Sequence, residues 1–200
     1  LLSLAIGMIG VLAAKRLDRL VAFAVIGSMA MVMVSISLFT PTGIAAALYY
    51  IVHSTLAAAA LFLISDLVRT GRGNVELTAQ SPMIGAALTA ARVFAAASAM
   101  AGLPPLSGFL GKLLVLDAAF ETDMMAWVWA IVLGSSLISI LGFARAGSIL
   151  FWKAHSVTHP EDDLVMPRPA ILSYVAVGGV IGLLALHTAF AGQVHGYTTR

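Results

Sequence analysis

Lys112 stands inside a long apolar stretch, four residues after Gly108 and directly before Leu113, Leu114 and Val115. An ammonium group there is costly to desolvate, and away from water it exchanges its proton far more readily than on a surface. The acids on the same segment, Asp117 and Glu121, follow five and nine residues later, about 140° and 180° around a helix. A partner for Lys112 must therefore come from another element or from water. His53 is the second candidate. Tyr49 and Tyr50 precede it by four and three residues, on the same helical side, and Ala57 and Ala60 continue that side with small residues. Histidine changes charge most easily near neutral pH. Each has a plainer reading: Lys112 as a side chain that snorkels to an interface, His53 as a hydrogen-bonded structural residue.

Other charged or polar groups carry weaker signals. Arg92 and Arg145 lie within apolar runs but about two turns from helix ends, where snorkelling is the default. Asp66 and Arg69, three apart at a helix end, read as a local surface pair. Asp117 and Glu121 are one turn apart and are candidates to line an exit, or form a solvated helix end. His155 and His159 share a polar loop with Glu161, Asp162 and Asp163, at best an adventitious metal site. The sequence contains no cysteine, so disulfides, thiolate metal sites and redox thiols are excluded. It has no phosphate-binding glycine loop, serine nucleophile elbow or HExxH motif. Covalent catalysis, a resident metal and a bound cofactor are not expected.

The elements that must position these residues follow from composition. The 200 residues are 60% hydrophobic and 10% charged, with formal net charge +2 and mean hydropathy +1.01. A soluble domain carries about 25% charged residues, so this is membrane composition. The basic residues punctuate apolar runs and form no nucleic-acid patch. Apolar segments fall at about 1–14, 20–39, 44–66, 83–121, 127–151 and 170–191, and a helix needs roughly 20 residues to cross the hydrocarbon. In lipid only helices or closed barrels satisfy the backbone, and these runs are too long and evenly apolar for barrel strands. Gly178 and Gly182 form a small-xxx-small pair, the usual sign of close helix packing. Starting at Leu1-Leu2-Ser3 without a signal-peptide layout, the chain reads as a C-terminal piece of a longer membrane protein.

The stretch 83–121 is too long for one straight crossing and barely enough for two. Its middle holds Gly102, Pro104, Pro105 and Gly108, which remove backbone donors and permit non-helical dihedrals. This predicts a helix break inside the membrane zone. If the stretch crosses once, Lys15, Arg16, Arg19, Arg69, Arg72, Lys153 and Arg168 share one side and only Arg200 lies opposite. If it crosses twice, the division is six against two. The single broken crossing gives the stronger charge bias and is the one expected.

The order of these motifs resembles a known family. Lys15-Arg16-Leu17-Asp18-Arg19-Leu20-Val21-Ala22-Phe23 is similar to the "DLKRLLAYSS" junction of antiporter-like membrane subunits. The run Ala47-Leu48-Tyr49-Tyr50-Ile51-Val52-His53-Ser54-Thr55-Leu56 resembles their histidine-bearing helix, and residues 102–112 match their discontinuous-helix signature, "GLPPxxGFxxK". The family comprises the proton-translocating membrane subunits of respiratory complex I and the D-type and A-type subunits of Mrp/Pha multisubunit cation/proton antiporters. The Tyr49–Leu56 run and Ala144-Arg145-Ala146-Gly147-Ser148-Ile149-Leu150-Phe151-Trp152 look most like the D-type subunits of the Pha branch.

The resemblance implies an all-α polytopic membrane helix bundle of about six transmembrane helices, one of them discontinuous, forming the second half of an inverted-repeat antiporter-like fold. Residues 1–151 would be the second repeat, truncated at its start. Residues 152–169 would be a cytoplasmic loop, and 170–200 the final helix and tail. It implies a proton relay of Lys112 and His53, with Tyr49, Ser28, Asp117 and Glu121 as candidate channel lining. Its function would be K⁺(Na⁺)/H⁺ antiport, not enzymatic, within a multi-pass complex of other antiporter subunits in the cell inner (plasma) membrane. The alternative is a proton-pumping arm of a quinone oxidoreductase or membrane hydrogenase. Ser28 stands where some relatives have another histidine, Asp18 where the junction lysine is usual, and Ala57 where quinone-oxidoreductase relatives often have a lysine. Water would have to span those gaps.

Overall fold

A computed structural model describes residues 1–83, 85–156 and 169–193. Seven α-helices follow one another among these residues: α1 (Leu2–Ala13), α2 (Leu17–Ile36), α3 (Pro41–Arg72), α4 (Ala86–Ala101), α5 (Ser107–Ala118), α6 (Met125–Gly147) and α7 (Ile171–Ala189). The chain beyond α6 tightens through a π-helical turn, Ser148–Trp152, and a 3₁₀ turn, Lys153–Ser156. The histidine- and acid-bearing loop after it lies outside the described residues. Four of the helical stretches are long and apolar enough to cross a membrane: Leu17–Ile36, Pro41–Arg72, Met125–Trp152 and Ile171–Ala189. The bundle is an all-helical multi-pass membrane architecture, as composition predicts.

Local sequence sets the helix ends. Thr40 caps α3, its Oγ1 accepting from the Gly43 amide at 3.0 Å, with Pro41 in the first turn where a missing donor is harmless. Gly73, at φ +76°, closes the same helix in a left-handed conformation. Between α1 and α2 the chain turns at Lys15-Arg16 and pairs with the segment after α3: Leu17 N donates to Val75 O at 2.8 Å and Leu77 N to Lys15 O at 2.9 Å. Asp18 accepts from Arg16 at 2.6 Å and lies 3.5 Å from Arg69. The local pairing of Asp66 with Arg69 expected from spacing is thus replaced by a contact across 51 positions. Asp18 is in the first turn of α2 beside the end of α3, and Asp66 is exposed.

These contacts gather the basic residues at one end of the bundle. Arg145 joins them by donating to Ala14 O at 2.7 Å. Trp127 and Trp152, both highly exposed, lie near opposite ends of the α6 stretch, roughly 37 Å apart at 1.5 Å per residue. That is the spacing of two aromatic belts around a hydrocarbon core of about 30 Å.

α3 forms the centre and packs against α2, α4, α5 and α7. Its contacts order the broken segment. Gly71, near the basic end, meets Met83; His53 meets Gly108; Tyr49 and Tyr50 meet Gly111. Moving from α4 into α5 therefore runs steadily down α3, and the two halves traverse the bundle once. This is the single broken crossing that the charge distribution favours. Small residues bring backbones together at α1 and α2, where a Cβ on Gly7 would stand 2.7 Å from the Gly27 amide nitrogen. The pair Gly178 and Gly182 does not act this way among the described residues: no atom of those residues lies within 4 Å of where the Cβ atoms would be. That face of α7 looks outward.

Candidate functional site

The site begins with how α4 ends. Gly102 takes φ +80°, a conformation glycine adopts without steric cost. Leu103 N then donates to Ser98 O at 2.9 Å and Gly102 N to Ala99 O at 3.1 Å. This paired closure satisfies the Ser98 and Ala99 carbonyls, and the prolines that follow have no N–H to offer those of Met100 and Ala101. Pro104 and Pro105 follow, exposed, and prevent the helix from resuming before Ser107.

Lys112 takes the carbonyl of Ala101. One turn into α5 and only 8% exposed, its Nζ donates to Ala101 O at 2.6 Å and to Ser136 Oγ of α6 at 2.9 Å. The partner that α5 could not supply is the carbonyl end of the preceding half-helix, where the backbone dipole favours a cation. Gly102 also makes room for it: a Cβ there would stand 2.9–3.0 Å from Cδ, Cε and Nζ of Lys112. Among the described residues the ion pairs are those of Asp18 with Arg16 and Arg69, so no carboxylate neutralises Lys112.

His53 faces the same break from α3. It is fully buried, and its Nδ1 lies 2.8 Å from Ser107 Oγ at the start of α5. Its Nε2 has no partner. The Ser107 amide, one of the donors a helix start leaves free, donates to Thr188 Oγ1 of α7 at 2.9 Å. Gly108 lies inside α5, not in the break as the sequence suggests. Its lack of a side chain lets α5 lie against His53 and Ala99 O.

Ser28 of α2 is buried and 2.6 Å from Ser54 Oγ, and it also meets the Tyr50 hydroxyl. Between Ser28 and Tyr50 on one wall and Lys112, Ser135 and Ser139 on the other lies a cavity of about 10 Å³. That is about the least room one water needs; the hydroxyl and ammonium groups named offer it partners, and Leu4, Met8, Met31 and Met100 help complete the lining. Tyr49 is buried with its hydroxyl unpartnered. The structure thus brings Lys112, His53, Ser28 and Tyr49 together around the break. Asp117 and Glu121 are exposed toward the far end of α5 and its following turn and do not join the cluster. Arg92 lies over the Tyr174 ring at 4.9 Å, holding α4 to α7 away from the cluster.

Four contributors were not evident from spacing. Ser107, Ser136 and Thr188 are ordinary residues in sequence, identified only by what α5 meets. His187 is buried on α7, stacked on Tyr49 with ring centroids 4.4 Å apart; a histidine inside an apolar run was its one available signal. His187 lies against the Tyr49 ring, one turn along α3 from His53, and His53, His187 and Lys112 are all buried, where like charges so placed would disfavour one another. The cluster is thus a group of buried ionisable side chains, each beside a hydroxyl or a ring of another helix, and among the described residues no carboxylate pairs with it.

Known proteins share this arrangement of helices. The family model described as "NADH:quinone oxidoreductase/Mrp antiporter, TM" matches residues 1–139. The chain is 29% identical to the D-type subunit of the probable K(+)/H(+) antiporter of Rhizobium meliloti (strain 1021), over 86% of this chain and 38% of that protein. It is 30% identical to the N-type subunit of NADH-quinone oxidoreductase from Thioalkalivibrio sulfidiphilus (strain HL-EbGR7), over 92% of this chain and 37% of the relative. It therefore spans well under half the length of these curated relatives. Among solved structures it superposes on a chain of respiratory complex I from Thermus thermophilus with TM-score 0.82 and 25% identity, covering 99% of this chain and 42% of the other. A chain of the Mrp complex from Dietzia sp. DQ12-45-1b gives the same TM-score at 22% identity, covering 98% and 44%, and shows the shared fold. The helix order, the break before Lys112 and the match over residues 1–139 agree: the chain belongs to the NADH:quinone oxidoreductase/Mrp antiporter transmembrane family.

Proposed function

We propose that this chain is the second-repeat portion of a D-type, proton-translocating subunit of a multisubunit K⁺(Na⁺)/H⁺ antiporter. Lys112 and His53 are its proton relay. The observation that carries this reading is Lys112 itself: a buried lysine without an ion pair, held by the open end of a broken helix and facing a water-sized cavity. An ionisable residue in that position costs stability, and a role in moving charge accounts for its presence. A proton reaching His53 raises the local positive charge and drives the Lys112 proton onward. Hydroxyls of Ser107, Ser28 and Ser136 with water bridge the steps. Residues 1–151 form the repeat, 152–169 a cytoplasmic loop and 170–200 the final helix and tail. The partners are further antiporter subunits in the plasma membrane, and the cation is K⁺ or Na⁺.

The 30% identity to an N-type subunit of NADH-quinone oxidoreductase supports a second reading, in which the same relay serves a redox-driven pump. One experiment separates them. Everted vesicles carrying the complete complex are acidified inside, electron donors are withheld, and K⁺ or Na⁺ is added while the internal pH is followed. Antiport predicts collapse of the gradient by one of the two ions. A gradient that neither ion moves, but that an electron donor builds, would overturn the antiporter reading in favour of the pump.

A further inference from the structure

The last helix brings a histidine to this site that Lys112 and His53 do not account for. His187 lies on α7, beyond the residues matched by the family model, and is 8% exposed. Its ring lies nearly flat on Tyr49, 26° from parallel, one turn along α3 from His53. Its Nε2 is buried without a hydrogen-bond partner, as are Tyr49 Oη and His53 Nε2. Each such orphan forfeits a hydrogen bond that water would have supplied, and native interiors keep few of them. Three in one neighbourhood mark a place where a mobile proton or a water completes the hydrogen bonding. The neighbouring Thr188 reinforces the link, because Ser107 donates its amide to Thr188 and shares its hydroxyl with His53.

We infer that His187 is a third proton-binding station of this site, exchanging a proton with His53 along the Tyr49 side of α3. The inference rests on the relay reading above. In the transfer an N–H bond breaks at one imidazole and forms at the other, through a water or the Tyr49 hydroxyl, with no change in electrons. The titratable groups around this stretch are Tyr49, Tyr50 and His53 from α3, Tyr50 with its ring 5.4 Å from that of His53, and Lys112 from α5. Arg92 of α4 meets α7 near its start, at Tyr174. With cationic neighbours and, among the described residues, no carboxylate paired with either ring, a proton on His53 disfavours one on His187, so the two rings alternate.

The test uses the complete antiporter complex in everted vesicles, with assembly verified, and compares His187→Phe, His187→Gln and Lys112→Ala. Phenylalanine keeps a flat ring on Tyr49 but binds no proton; glutamine keeps a polar end but loses the ring. The relay role predicts that both His187 variants lose antiport by about a hundredfold or more. A packing role predicts Phe near the wild-type rate with Gln impaired, and that result would overturn the inference, as would failure of both variants to assemble. If Lys112→Ala abolishes antiport and both His187 variants run at the wild-type rate, the relay stands and only His187 is wrongly assigned. If Lys112→Ala is itself fully active, the relay reading fails and this inference with it.

Discussion

Replacing Lys112 with alanine is expected to reduce cation-driven proton exchange by at least about a hundredfold, to background, while the complex still assembles. The loss follows from removing a proton-binding group from the middle of the path; positioned acid–base groups contribute about 10²- to 10⁴-fold. Assembly survives because two effects oppose each other. Alanine leaves the Ala101 carbonyl and Ser136 hydroxyl without the ammonium they hold at 2.6 and 2.9 Å, which costs about 1–3 kcal/mol. It also removes the desolvation cost of an unpaired buried charge, several kcal/mol in effect. Function is lost while stability moves little. Initial rates of internal pH change, with complex content checked on a native gel, test both halves of the expectation.

Gly108→Ala is expected to do the opposite, damaging the fold first and activity as a consequence. A Cβ there would clash with Ala99 O and stand 2.8 and 2.9 Å from Nε2 and Cε1 of His53. The carbonyl cannot retreat cheaply, because it already closes the end of α4 through Gly102. His53 cannot turn without losing its 2.8 Å contact to Ser107. Overpacking of this kind costs about 1–3 kcal/mol. The complex should dissociate at a lower temperature on graded heating, and the surviving fraction should exchange protons poorly because His53 is displaced. Gly178→Ala is the matched control, since nothing lies within 4 Å of its added methyl. Equal thermal behaviour of the two variants would contradict the packing described for α5.

Much of this architecture is legible in the sequence because the membrane leaves few options. A backbone that must satisfy itself forms helices, and Gly102, Pro104 and Pro105 can only interrupt one. The single crossing follows from charge counting, and the structure agrees through the path of α4 and α5 along α3. Lys112 and His53 stand out because ionisable groups in apolar runs are rare. Their partners do not stand out. The carbonyl that holds Lys112 depends on the left-handed turn at Gly102, and the hydroxyls of Ser136, Thr188 and Ser54 are assigned by tertiary packing that no local spacing encodes. His187 lies outside any motif and acquires its place only when α7 folds against Tyr49. Two local readings fail for the same reason. Asp66 lost Arg69 to Asp18, brought near by the turn between α1 and α2. Gly178 and Gly182 mark a close contact in pattern, but their face of α7 has no neighbour in this bundle.

In the proposed relay Lys112 works by releasing and rebinding a proton, and not by lending a fixed positive charge. Arginine separates the two, since its guanidinium keeps its charge at any relevant pH. The decisive measurement is cation-driven pH-gradient collapse in everted vesicles carrying the complete complex with Lys112→Arg, at wild-type levels of assembled complex. The relay predicts a rate no higher than that of Lys112→Ala. Antiport at the wild-type rate from the arginine variant would show that charge alone suffices, and would contradict the relay.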